Sequence, residues 1–123
     1  MPKILIIEDD VDLAMVLQMN LEAKGYAVAL AHDALQGTAS VYNEKPDLII
    51  LDINLPAGGG LSVLKNIKIS VKTKIIPVIV LSGTEDEELK HKVLHAGITD
   101  FIKKPYDLED LCQRVKNALR IKS

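Results

Sequence analysis

Four short stretches of uninterrupted aliphatic residues punctuate the chain: Ile4-Leu5-Ile6-Ile7, Ala27-Val28-Ala29-Leu30, Leu48-Ile49-Ile50-Leu51 and Val78-Ile79-Val80-Leu81. Hydrophobicity that does not alternate marks strands covered on both faces, the habit of parallel sheets flanked by helices. Between these runs the apolar positions recur every three or four residues, as in Val11, Ala14, Leu17 and Leu21, then Leu61, Leu64 and Ile67. That is the period of an amphipathic helix. A weaker fifth unit pairs the short strand Asp100-Phe101-Ile102-Lys103 with a final helix striped by Leu108, Leu111, Cys112, Val115 and Leu119.

The punctuation agrees with this division. Gly25 and Gly97 fall where helices should stop, at positions suited to a left-handed backbone. Thr84-Glu85-Asp86-Glu87 reads as a capping box opening a helix, and Asp107 as the N-cap of the last one. Five strand-helix units joined by right-handed crossovers give an α/β fold with a doubly wound, five-stranded parallel sheet. No repeat or linker interrupts the pattern, so residues 1–123 are expected to form one domain, with no further domain after the last helix.

Composition narrows the function. The chain has 123 residues, and 15 basic residues against 17 acidic ones leave no cationic excess for nucleic-acid binding. No apolar run approaches the roughly 20 residues a membrane-spanning helix needs, and Met1-Pro2-Lys3 leads straight into the first strand without a secretory signal. A single cysteine, Cys112, excludes an internal disulfide and suits a reducing cytoplasm.

In an open parallel sheet, ligands bind beyond the carboxyl ends of the strands. The residues there are Glu8, Asp9 and Asp10 after the first run, Asp52 after the third, Ser82 after the fourth and Lys104-Pro105 after the fifth. Carboxylates crowded together repel unless a cation neutralises them. An oxygen-seeking divalent ion such as Mg2+ suits Glu8, Asp9 and Asp52, because it takes one or two carboxylates plus waters and phosphate oxygens. Phosphoryl transfer needs a nucleophile, a metal and donors for the equatorial oxygens. Asp52 is the candidate nucleophile, Lys104 the fixed cation and Ser82 the hydroxyl donor.

Taken in order, Ile4-Leu5-Ile6-Ile7-Glu8-Asp9-Asp10, Leu48-Ile49-Ile50-Leu51-Asp52-Ile53-Asn54-Leu55-Pro56, Val80-Leu81-Ser82-Gly83 and Phe101-Ile102-Lys103-Lys104-Pro105 make the whole chain resemble the receiver domain of two-component response regulators, the chemotaxis-regulator family. The resemblance implies a flavodoxin-like sheet of strand order 2-1-3-4-5. It makes Asp52 the phosphoacceptor, supplied by a histidine kinase or histidine phosphotransfer protein. It makes Asp9, Asp52, the Asn54 carbonyl and Glu8, the last largely through water, the magnesium site. Ser82 and Phe101 become the switch pair, Lys104 the partner of the phosphoryl group, and the Lys104-Pro105 peptide cis. The surface that signals to a downstream protein target or output domain is the fourth helix, fifth strand and fifth helix, near residues 85–96, 99–103 and 107–119. Lys90 and Asp110 are placed for a cross-subunit salt bridge in a homodimer, although Thr99 stands where dimerising transcriptional regulators often carry an acid. Such a domain is a regulatory phosphoacceptor rather than an enzyme, cytoplasmic, without membrane or direct nucleic-acid contacts.

Two positions depart from the family pattern: the loop Ala57-Gly58-Gly59-Gly60 lacks the usual acid and is expected to be mobile, and Gly83 replaces a frequent alanine. His91 and His95 have the spacing of a metal pair, but with no third ligand in sight a solvated helix face accounts for them. Asp10 and Asp12 read as helix-capping acids, and Cys112 as a core residue. Three other functions fit less well. An aspartate-nucleophile phosphatase wants a general acid where Asn54 stands; a nucleotide or flavin binder wants a glycine-rich loop after the first strand, and none is present. The remaining alternative is a receiver-like interaction module that is not phosphorylated.

Overall fold

A computed structural model describes the backbone of residues 1–122 and the side chains of residues 1–120. Strands β1 (Lys3–Ile7), β2 (Ala27–Ala31), β3 (Leu48–Asp52), β4 (Val78–Ser82) and β5 (Asp100–Lys103) alternate with helices α1 (Val11–Ala23), α2 (Ala34–Glu44), α3 (Gly59–Ile69), α4 (Glu87–Leu94) and α5 (Leu108–Lys122). The strands form one parallel sheet in the order β2-β1-β3-β4-β5. This is the doubly wound, flavodoxin-like arrangement expected from the sequence.

Alternate residues of each central strand enter opposite cores, as the two-residue period of a strand requires. Leu5, Ile7, Ile49, Leu51, Val78 and Val80 pack with Val41, Val63, Leu64, Ile67 and Val93 from α2, α3 and α4. Ile4, Ile6, Leu48, Ile50, Ile79 and Leu81 pack with Ala14, Leu17, Leu21, Leu111, Cys112 and Val115 from α1 and α5. Covering both faces is what makes these strands continuous aliphatic runs. The exception is β2, expected to be buried on both faces. It is an edge strand whose first four residues are only partly buried, so its small aliphatics, alanines among them, fill less of the interior.

Helix starts are set by aspartates. The carboxylates of Asp10, Asp33, Asp86 and Asp107 accept from the backbone N–H groups of Leu13, Gln36, Leu89 and Asp110. Thr84 is therefore not the cap of α4: the helix begins at Glu87 under Asp86, and the Thr84 hydroxyl accepts from Asn54 instead. Gly25 and Gly97 do follow helices with positive φ, 97° and 83°.

Candidate functional site

Parallel register brings the carboxyl ends of β1, β3, β4 and β5 to one edge, where Asp52 lies opposite Leu81 and Ser82 opposite Lys103. The backbone beyond each strand is held in place: the N–H groups of Glu8, Ile53 and Lys104 donate to the carbonyls of Ala31, Leu81 and Ser82 at 2.9, 2.9 and 2.7 Å. The backbone positions from which the site side chains leave are thereby set by the sheet.

Glu8, Asp9 and Asp52 each offer a carboxylate oxygen within 4.8 Å of the others. Glu8 and Asp52 are buried, only 2% and 3% exposed, while Asp9 faces solvent. Lys104 bridges the two buried acids, its Nζ lying 2.6 Å from Glu8 Oε1 and 3.3 Å from Asp52 Oδ2. Asp52 Oδ1 accepts from the Asn54 N–H at 2.9 Å, which orients the carboxylate, and Glu8 Oε2 accepts from the Asp10 N–H at 3.2 Å.

One lysine cannot neutralise three acids, and the proton affinities record the mismatch. Burial, together with the hydrogen bond and negative charge of Asp52, pushes the Glu8 carboxyl up to about 7 despite Lys104. Burial also acts to raise Asp52, but its hydrogen bonds with Glu8 and Asn54 and the charge of Lys104 outweigh that and hold it below the ordinary range. Lys104 is lowered by burial and raised by more through Glu8 and Asp52, so it stays a cation. Three hard oxygen ligands and an unsatisfied negative charge fit a small divalent cation such as Mg2+. Asn54, whose carbonyl is expected to complete the set, lies two residues past Asp52 in the β3-α3 loop.

Ser82 is 3% exposed, and its Oγ accepts only a long 3.4 Å bond from the Thr84 N–H among the described contacts. Phe101 is half-buried against the core beside α4, and Lys90 Nζ stands 5.5 Å from its ring centroid. The Lys104-Pro105 peptide is cis. Pro56–Gly58 form a 3-10 turn in which Ala57 and Gly58 both take positive φ, 57° and 71°. A Cβ on Gly60 would lie 2.2 Å from the Ile53 carbonyl oxygen, so close backbone approach requires glycine there.

Two contributors were missed in the sequence. The Asn54 side chain ties the β3-α3 loop to the β4-α4 loop, its Oδ1 accepting from the Gly83 N–H at 2.7 Å and its Nδ2 donating to Thr84 Oγ1 at 3.3 Å. His32 follows β2, and its Nδ1–H donates to the Glu8 carbonyl at 3.1 Å. His32 lies two residues past the second aliphatic run, directly after the strand end at Ala31, so its position at the carboxyl edge is legible once the strand is extended by one residue, whereas nothing local in the sequence reveals the Asn54 tie.

Known proteins share both sequence and shape with this chain. Residues 4–116 match the family described as "Response regulator receiver domain". The DNA-binding dual master transcriptional regulator RpaA of Synechocystis is 37% identical over 120 residues, which is 98% of this chain and 50% of that protein. The chain thus spans about half the length of this curated relative. A CheY-like response regulator receiver domain protein from Methanospirillum hungatei superimposes with a TM-score of 0.91 at 31% identity, covering 99% of this chain and 96% of its own. The signal receiver domain of a histidine kinase from Syntrophus aciditrophicus gives 0.89 at 31% identity, covering 98% and 91%. With the family match spanning residues 4–116 and its fold superimposing on solved receiver domains, the chain belongs to the response regulator receiver domain family.

Proposed function

We propose that this receiver domain accepts a phosphoryl group on Asp52 in a Mg2+-dependent reaction and signals by a conformational switch. The observation that supports the reading most is the meeting of Glu8, Asp9, Asp52 and Lys104 at one edge, with Asp52 held below the ordinary carboxylate range and so ionised as a nucleophile. Glu8, Asp9, Asp52 and the Asn54 carbonyl would hold Mg2+, which when bound supplies charge neutralisation of the phosphoryl oxygens. Asp52 attacks phosphorus through a carboxylate oxygen as the bond from phosphorus to the donor's imidazole nitrogen breaks, leaving an acyl phosphate. The Asn54 N–H orients the attacking carboxylate. Lys104 exchanges part of its contact with Glu8 for the new dianion, and the Ser82 hydroxyl turns from its long bond to donate to a phosphoryl oxygen.

Movement of Ser82 carries the β4-α4 loop with it, and Phe101, packed beside α4, relays the change to the face of α4, β5 and α5. That face meets the downstream target or output domain. The phosphodonor is a histidine kinase or histidine phosphotransfer protein. Val11, Met15 and Met19 recur every fourth residue on α1 and are 48%, 50% and 67% exposed, an apolar stripe beside the acidic edge that suits a donor helix. A homodimer through α4, β5 and α5 would have to recruit Lys90 and Asp110 from partners within the chain, since Lys90 stands over Phe101 and Asp110 accepts from Arg114 Nε at 3.0 Å.

On this reading residues 1–123 act as one cytoplasmic regulatory unit, not as a turnover enzyme, and any nucleic-acid contact belongs to an attached or separate output. Among the described residues no helix is long and apolar enough to cross a membrane. Incubation with Mg2+ and acetyl phosphate, followed by intact-mass measurement, tests the proposal. One phosphoryl adduct is expected, absent with EDTA and absent in Asp52→Asn. No adduct under conditions where Mg2+ binding is demonstrated would favour an interaction module that is not phosphorylated.

A further inference from the structure

The last turn of α4 and its C-cap hold a second cluster of ligand-type side chains, far in sequence from the acidic edge. His91 and His95 are four residues apart and exposed, and their rings lie side by side with centroids 4.1 Å apart and planes tilted by 41°. His95 Nδ1 is 2.8 Å from the His91 carbonyl oxygen. A carbonyl only accepts, so His95 Nδ1 carries a proton, and in the neutral ring the lone pair is therefore on Nε2. A ring N–H committed to a backbone carbonyl is the arrangement that fixes the tautomer of metal-binding histidines and raises the basicity of the other nitrogen.

We propose that His91 and His95 form a two-histidine chelate for a divalent transition metal of the zinc, nickel and copper class, with water completing the coordination. Paired imidazoles select these borderline ions over Mg2+, which takes oxygen ligands. The site is thus chemically separate from Glu8, Asp9 and Asp52, and it does not depend on phosphorylation of Asp52. Its consequence follows from the helix it spans. α4 has eight residues, of which only Val93 is buried, and a helix this short is marginal by itself. An ion gripping positions one turn apart closes that turn, next to the Lys90 that stands over Phe101. Metal occupancy therefore stiffens the element that faces the Phe101 ring.

Calorimetric titration with Zn2+, and separately Ni2+, in excess Mg2+ to fill the acidic edge, tests the site on the native chain and on His91→Ala, His95→Ala and the double variant. These side chains are exposed, so the variants retain the fold, which circular dichroism verifies. One equivalent is expected on the native chain, with Ni2+ held at least as tightly as Zn2+, at least tenfold weaker binding in each single variant, and none in the double variant. Amide exchange across residues 91–95 should slow at least threefold with metal in the native chain only. Equal binding by native and double variant would place the ion elsewhere and overturn the proposal. So would single variants that bind as the native chain does, because the two histidines would then not act as a chelate.

Discussion

Neutralising Glu8 tests the electrostatic account of the site without any phosphodonor. In the metal-free protein the Glu8 carboxyl is held at about 7 instead of its ordinary 4.5. Between those values the folded chain keeps a proton that the unfolded chain has released. A group with a raised folded pKa contributes stability that is complete below its unfolded value and lost as pH rises through the folded one. Glu8 titrating alone would remove about 3 kcal/mol by pH 8, and sharing of charge with Asp52 and Lys104 reduces this to about 1–3 kcal/mol. The opposing contribution of Asp52, which is lowered, falls away only at acid pH, and that of Lys104, which is raised, only at alkaline pH, both outside this window.

Glu8→Gln is the isostere of the protonated acid, so it should match the native chain near pH 5 and exceed it by about 1–3 kcal/mol at pH 8. Urea unfolding followed by circular dichroism at pH 5, 6, 7 and 8 with EDTA measures both proteins, and their difference cancels the titrating groups that do not interact with Glu8. Mg2+ favours ionised Glu8 and should close the gap at pH 8 by stabilising the native chain more than the variant. A native-minus-variant difference that is flat from pH 5 to 8, or that grows in the native chain's favour, would refute the reasoning.

Three further outcomes follow from individual contacts. Gly60→Ala forces a Cβ to within 2.2 Å of the Ile53 carbonyl oxygen, and since backbone must move, unfolding should show a loss of about 2–4 kcal/mol. Gly58→Ala meets no neighbour and bears only the strain of positive φ, so about 1 kcal/mol is expected from the same melts. Asn54→Ala removes the tie to Gly83 and Thr84, and the Gly83 amide should exchange about fivefold faster by hydrogen exchange, corresponding to about 1 kcal/mol.

The fold was legible because burial on both faces is written into consecutive residues. The runs at Ile4, Leu48 and Val78 each fall inside the observed strands, and Asp100-Phe101-Ile102-Lys103 coincides with β5. β2 was placed correctly but assigned too much burial, since nothing within Ala27-Val28-Ala29-Leu30 distinguishes an edge strand from a central one. Thr84 was misread because a capping box is a local pattern, whereas the competing Asn54 contact comes from thirty residues away. The acids, Ser82 and Lys104 could be placed on one edge from strand ends alone. Their hierarchy could not: the lysine lies nearer Glu8 than Asp52, a consequence of where three separate strands leave each side chain.

The central claim is that Asp52 receives the phosphoryl group. Peptide-level mass spectrometry after reaction with Mg2+ and acetyl phosphate addresses it most directly, with borohydride reduction to convert the acyl phosphate into a stable mark. The mark is expected on Asp52 and on no other residue; a mark on Glu8, Asp9 or any other side chain would contradict phosphoryl transfer to Asp52.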